Sequence, residues 1–297
     1  MPWADAISSA RERFAFKHVP GFQRASRGLI YLGREITAIG FCYEPRILGL
    51  AARQATTYLQ RKIEDPVLRA KATPDFQLGC KRVLISSDYY PALTRETTEL
   101  ITDPIMEIRP NAIVTADGTV REIDVLIVAT GFHVTDSPAA DLIKGADGRT
   151  LGAHYREFGQ QAYKGSATAG FPNCFSLVGP NTGLGHTSMI YMIESQLNYL
   201  LDALDVMDRH DLATVEVRKE AQDAYNAKLQ RRMKRTVWTT GGCASWYLDA
   251  HGRNTTLWPN FTFAFRAITR RFDLDAYDST THADLVESSA DATLGAS

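Results

Sequence analysis

Apolar residues recur at helical spacing between residues 22 and 63, at Leu29, Leu32, Ile36 and Ile39 and again at Leu48, Ala51 and Ala52, with Pro45 between the two runs. This predicts two amphipathic helices broken at the proline, whose ring cannot continue a helical hydrogen-bond ladder. After Pro74 the pattern changes, and residues 83–86, 98–102 and 105–109 read as short strands. Asp117-Gly118, between 112–116 and 119–123, is a strong hairpin signal. Residues 124–129, Asp-Val-Leu-Ile-Val-Ala, form an apolar run without alternation, the pattern of a strand buried on both faces. Leu177-Val178 closes another short strand, and a glycine-rich run from Gly179 to Gly185 leads into a long helix with a stripe at Ile190, Ile193, Leu197, Leu200 and Leu204. Residues 214–218 read as an edge strand and 220–234 as a polar amphipathic helix. From Asp278 onward small and polar residues dominate, and a disordered tail is expected.

A chain of 297 residues with 44% hydrophobic residues can build about two domains with a sizeable core. Its 33 basic and 34 acidic residues nearly cancel, so there is no broad basic field for nucleic acid, and a small-molecule ligand is the better expectation. The basic run Arg231 to Arg235 falls at a predicted helix end, where cations complement the dipole. Cys42, Cys80, Cys174 and Cys243 are far apart, form no C-x-x-C pair and are too few for a disulfide framework, which favours a reducing cytoplasm. The first residues carry charges where a signal peptide needs its apolar centre, and no apolar run approaches the roughly 20 residues of a membrane span. Two N-glycosylation patterns, at Asn254 and Asn260, matter only in a secreted chain and are discounted. Neither a clustered Cys/His spacing nor a G-x-S-x-G elbow occurs, so neither a metal site nor an α/β-hydrolase is expected. His186, in the glycine-rich run, is expected to cap or to face solvent.

Ala129-Thr130-Gly131 lies at the C-terminal end of a predicted strand, where open α/β sheets bind ligands and where small residues let a ligand approach the backbone. On those three residues alone a tight turn is the simpler reading. The flanking text is more specific. A hairpin ending in DVLIVATGF, then GFPNCFSLVGPNTGLGHTS and a helix, resembles the class B flavoprotein monooxygenases, especially their Baeyer–Villiger branch. FKHVPGFQR near the start, PDFQLGCKRVLISSDYYPALTR at 74–95 and SWYLDAHGRNTTLWPNFTFAFR at 245–266 agree with that branch, so the resemblance covers nearly the whole chain except the tail.

The resemblance implies an α/β fold: part of a two-dinucleotide-binding-domain, Rossmann-like flavoprotein with a helical N-terminal segment. Residues 1–128 would be the remainder of an NADP-binding domain, including helices over 22–72; residues 129–277 the C-terminal part of an FAD-binding domain; and 278–297 the tail. It further implies FAD and NADP as cofactors and a small carbonyl compound as substrate. Thr130 and Gly131 would lie at the crossing between the domains. Gly179, Pro180 and Asn181 would contact the flavin, with backbone N–H groups and a helix dipole beside the ring edge that becomes negative on reduction. Lys81 would meet the 2′-phosphate of NADP, and Arg82 would stabilise the anionic oxygenating species and the tetrahedral adduct it forms with a carbonyl. Sulfur or nitrogen oxygenation by the same cofactors is an alternative.

The chain departs from the family in lacking both glycine fingerprints and the aromatic-Gly-His-Trp signature between them; Gly40 and Gly49 stand alone in helical text. The first halves of both nucleotide domains are therefore expected to be missing, leaving strand edges and apolar faces uncovered. Such a chain is expected to be inactive alone and to self-associate or need a complementing N-terminal chain. A non-catalytic remnant or interaction module is the competing expectation.

Overall fold

The computed structural model describes residues 9–131, 137–249 and 251–286. In chain order its elements are α1 (Ala10–His18), α2 (Phe22–Ala38), α3 (Leu48–Lys62), α4 (Pro66–Ala72), α5 (Tyr89–Leu93), β1 (Ile105–Arg109), β2 (Ala112–Thr115), β3 (Val120–Glu122), α6 (Leu151–Phe158), α7 (Met189–Arg209), β4 (Leu212–Val217), α8 (Lys219–Met233), α9 (Val237–Thr240), α10 (Thr262–Ile268) and β5 (Tyr277–Thr281). The chain divides into two compact units. The smaller contains Leu50–Asp75 and Leu84–His133, and the larger contains Ile7–Gly49, Phe76–Val83 and the chain from Val134 onward. α2 and the residues around Lys81 group with the C-terminal part of the chain.

In the smaller unit the hairpin forms as read. β1, β2 and β3 make an antiparallel meander in which Val114 faces Val120. Gly118 takes φ of 81°, and Asp117 accepts from the Thr115 hydroxyl at 2.6 Å and the Thr119 N–H at 3.1 Å. The flanking expectations fail. Residues 83–86 and 98–102 form no strand, and 124–129 lie in no ladder, with Val125 75% and Ile127 83% exposed. A continuous apolar run becomes a buried strand only when neighbours supply hydrogen bonds on its edges and side chains on its faces. Among the described residues none does.

Pro45 separates α2 from α3 as expected, through a π turn at Ile39–Tyr43 and a short 3-10 turn. The face of α2 read as core is instead outward: Leu29, Leu32 and Ile36 are exposed, and the buried positions are Ala38 and Glu35. Glu35 takes the place of an apolar residue because its carboxylate receives the N-terminus of α10, accepting the Thr262 N–H at 2.9 Å and the Thr262 hydroxyl at 2.6 Å. In α7 the stripe is likewise rotated. Met192, Ser195, Gln196, Tyr199 and Ala203 face inward while Ile190, Leu197 and Leu204 are exposed.

Two larger clusters and a small one around Ala140, Leu151 and Phe171 form the larger unit's core. One of the two larger gathers Phe41, Met192, Met233, Trp238, Trp258 and Phe265. The other joins α7 to the β4–β5 pair through Tyr199, Val215, Val217, Phe272 and Tyr277. The edge strand and the polar helix are therefore present as β4 and α8, but residues 278–281, expected in the tail, belong to β5. Residues 287–297 of that tail lie outside the described residues. Leu177-Val178 is a turn, not a strand end. Cys80 and Cys243 form a disulfide closing a separation of 163 residues, contrary to the reading from spacing. Spacing along the chain does not report which loops meet in space. By the chain-entropy model a loop of that length contributes on the order of 5 kcal/mol.

Beside the second cluster Asp273 accepts from Tyr163 Oη at 2.6 Å, Lys164 Nζ at 2.7 Å and Tyr199 Oη at 2.6 Å. Burial pushes the Asp273 carboxyl up, and the hydrogen bonds from Lys164, Tyr163 and Tyr199 together outweigh it, holding the group below its usual range. A depressed carboxyl contributes stability above its unfolded value that is lost as pH falls through the folded one. Asp273→Asn is expected to flatten the acid limb of the stability profile. It should also cost about 2–4 kcal/mol at neutral pH, toward the low end for a broken buried pair because the Asp273 side chain is 38% exposed. Urea titrations across the acid range measure both effects.

Candidate functional site

The walls of one candidate site come from loops that carry no continuous ladder. Where buried peptide groups lack helix or sheet partners, side chains must supply them, and three amides do so here. Gln196 of α7 donates Nε2 to the Gly165 carbonyl at 2.8 Å and the Ser176 carbonyl at 3.2 Å, and its Oε1 accepts the Val178 N–H at 3.0 Å. Asn181 donates Nδ2 to the carbonyls of Asn254 and Leu257 at 2.8 and 3.0 Å. Asn254 Oδ1 in turn accepts from the N–H groups of Thr256 and Leu257. Backbone bonds from Asn181 N to Thr255 O and from Gly183 N to Thr256 O complete the lacing. Val178 and Asn181 both adopt φ of 57°, a region costly for a β-branched residue, and the amides hold them there.

These walls enclose an open cavity of about 610 Å³ lined by Arg82, Val178, Gly179, Pro180, Trp246 and Thr256, among others. Arg82, Gly179 and Pro180 line this one cavity. Asn181 adjoins them, but its side chain is 3% exposed and its donors are committed to the wall. Lys81 points elsewhere, with Nζ 4.5 Å from the centre of the Phe76 ring. Thr130 and Gly131 belong to the smaller unit, where both are exposed and Gly131 has φ of 88°. His186 neither caps nor faces solvent. Its ring is buried, with Nε2 3.5 Å from Glu35 Oε1, and burial lowers its pKa against the pull of Glu35.

Electrostatically the cavity is an apolar surface with one cation. Among the described residues Arg82 has no ion-pair partner, and its charge reaches the buried Tyr247, whose phenol burial pushes up while Arg82 pulls it back. Two hydroxyls in the wall, Thr255 Oγ1 and Thr256 Oγ1, are buried without hydrogen-bond partners. A buried hydroxyl without a partner costs on the order of 1–3 kcal/mol, so these two are the least satisfied polar groups of the wall. Reading from sequence missed both threonines, which entered only as a discounted glycosylation pattern, and Trp246, left aside as one more aromatic. The block 245–266 that contains them was the available signal. Among the described residues no cluster suited to a metal ion occurs, and no helix is long and apolar enough to cross a membrane.

No family model matches the chain. It is 47% identical over 282 residues, 95% of its length, to a Baeyer–Villiger monooxygenase of Pseudomonas aeruginosa, and 47% identical over 278 residues to one of Streptomyces coelicolor. The chain belongs to the Baeyer–Villiger monooxygenase family. It spans about half the length of these relatives, 53% of each. The family's fold agrees. The chain superposes on 46% of the OTEMO enzyme in complex with FAD and NADP with a TM-score of 0.72, at 24% identity. It superposes on 46% of Rhodococcus cyclohexanone monooxygenase bound to NADP+ with a TM-score of 0.70, also at 24% identity. In each case 82% of this chain is covered.

Gly179 is where this family member's cavity wall is tightest. A Cβ there would stand 2.4 Å from the Gly165 carbonyl oxygen, a backbone atom held by Gln196. Gly179→Ala should therefore lower stability by about 1–3 kcal/mol through overpacking, read as a shift of the urea midpoint.

Proposed function

We propose that this chain carries part of the active site of an FAD- and NADPH-dependent monooxygenase that inserts oxygen beside a ketone carbonyl. The carrying observation is one cavity lined by Arg82, which has no ion-pair partner among the described residues, together with Gly179, Pro180, Thr255 and Thr256. FAD and NADP are present in the related OTEMO structure. The residues here fit the ring end of a flavin: an apolar wall, buried hydroxyls for a polar ring edge, and a cation beside it. They do not fit a pyrophosphate, because the sequence holds no glycine fingerprint.

When bound, reduced FAD supplies activated oxygen. Thr255 and Thr256 would donate to the ring edge, and Gly179 and Pro180 would leave the ring room against the backbone. Arg82 would stabilise the negative charge that develops on the carbonyl oxygen of the substrate, a task suited to a guanidinium once it is held beside that oxygen. Trp246 would cover one side and limit water. Lys81 would reach the 2′-phosphate of NADP by leaving Phe76, and Thr130 and Gly131 would line the passage between the two nucleotide-binding regions. The exposed run 124–129 and the outward apolar face of α2 favour a chain that works with a complementing N-terminal polypeptide and is inactive, or self-associates, without one.

The test is flavin retention. Incubated with FAD and desalted, the chain alone should be colourless. Mixed with a polypeptide carrying the two glycine fingerprints it should keep a flavin absorption band and oxidise NADPH in the presence of ketones. A complemented protein that stays colourless overturns the reading. In the active complex Arg82→Ala should lower kcat by roughly a hundredfold or more while flavin is retained, measured as lactone or ester formed per unit time.

A further inference from the structure

The disulfide between Cys80 and Cys243 joins two arms that are neither helix nor strand. The first arm, residues 76–83, is held by the Gln77 N–H donating to the Gly241 carbonyl at 3.0 Å. Its Gly79, at φ of 92°, lies so close to Phe41 that a Cβ would stand 2.8 Å from the ring. The second arm, residues 241–247, ends in the buried Tyr247. Arg82 and Trp246 sit just beyond the two sulfurs on their respective arms, and both line the 610 Å³ cavity. The cross-link therefore ties together two sides of one site.

The sulfurs differ in access. Cys80 is fully buried, whereas Cys243 is partly exposed. The remaining thiols are poor competitors: burial, with Glu35 nearby, pushes the Cys42 thiol up to about 12, and burial raises that of Cys174. Thiolate is the attacking form in exchange, so neither of these thiols readily scrambles the pair.

We propose that Cys80–Cys243 is a thiol-exchange site, open to an external dithiol at Cys243, and that its reduction releases the segment carrying Lys81 and Arg82 from the cavity wall. A thiolate of the dithiol attacks Cys243 Sγ. The new sulfur–sulfur bond forms as the Cys80–Cys243 bond breaks, and Cys80 leaves with the electron pair and takes up a proton. The second thiol of the reductant then attacks the mixed disulfide, which frees Cys243 as a thiol. The protein gains two electrons and two protons, and the dithiol becomes its cyclic or protein disulfide. The consequence for oxygenation rests on the role of Arg82 proposed above; the exchange and the release do not.

The test uses the full chain without flavin. Iodoacetamide under denaturing conditions should label Cys42 and Cys174 in the untreated protein, and prior dithiothreitol should add Cys80 and Cys243. Glutathione added to the native chain should be found by mass spectrometry on Cys243. Trypsin reads the release: cleavage after Lys81 and Arg82 should be roughly tenfold faster after dithiothreitol, while cleavage at Arg231 and Arg232 of α8 keeps its rate. The pair Cys80→Ser and Cys243→Ser should give the fast rate with or without dithiothreitol; if that variant does not fold, the treated and untreated wild-type chains carry the comparison. Four labelled cysteines in the untreated protein overturn the proposal, as do glutathione on Cys80, an unchanged rate after Lys81 and Arg82, or an equal rise at α8. A colourless protein in the flavin test leaves it intact.

Discussion

Buried peptide groups outside helices and sheets must still be paired, and the larger unit meets that constraint with side-chain amides. Gln196 alone engages both strands of the 165–178 loop, and Asn181 with Asn254 binds the glycine-rich run to the segment before Trp258. Each amide replaces several water-exposed hydrogen bonds by buried ones, where the loss of one partner leaves another group unpaired. The positions of Gly179, Pro180, Thr255 and Thr256 all follow from this lacing. So does the cavity, which exists because two irregular loops are held apart and fixed rather than zipped into a ladder.

Around that centre the polar choices are consistent with one another. Glu35, buried in α2, receives the first turn of α10, and Tyr31 from the same helix bonds the same Thr262 hydroxyl. Asp273 gathers Lys164 and two tyrosines, one of them Tyr199 at the middle of α7. In both places a charged group stands where an apolar residue would pack, and it is tolerated because every oxygen has a donor. These contacts orient α7, whose N-terminus opens onto the cavity.

The elements legible from sequence are those set by local chemistry: the break at Pro45, the Asp117-Gly118 turn, the polar helix α8, and the glycine-rich run entering α7. What failed depends on neighbours. Residues 124–129 read as a buried strand because their pattern records a partner sheet, not because six residues can build one. The stripes on α2 and α7 were misplaced for a related reason: Glu35 and Gln196 face inward to satisfy backbone groups far away in sequence, and hydrophobic periodicity cannot register that need. Within the site, Arg82, Gly179 and Pro180 were reachable through family-like text. Thr255 and Thr256 were not, because an unpaired hydroxyl is a property of the folded surroundings and leaves no mark in composition or spacing.

If, as proposed, the uncovered run at Val125 to Val128 pairs with a second polypeptide or with a second copy, the two routes compete kinetically. Pairing with a second copy of itself is bimolecular in this chain and grows with the square of its concentration, whereas pairing with a different polypeptide grows only linearly with it. Dilution therefore favours the heterologous route, and crowded expression the homologous one.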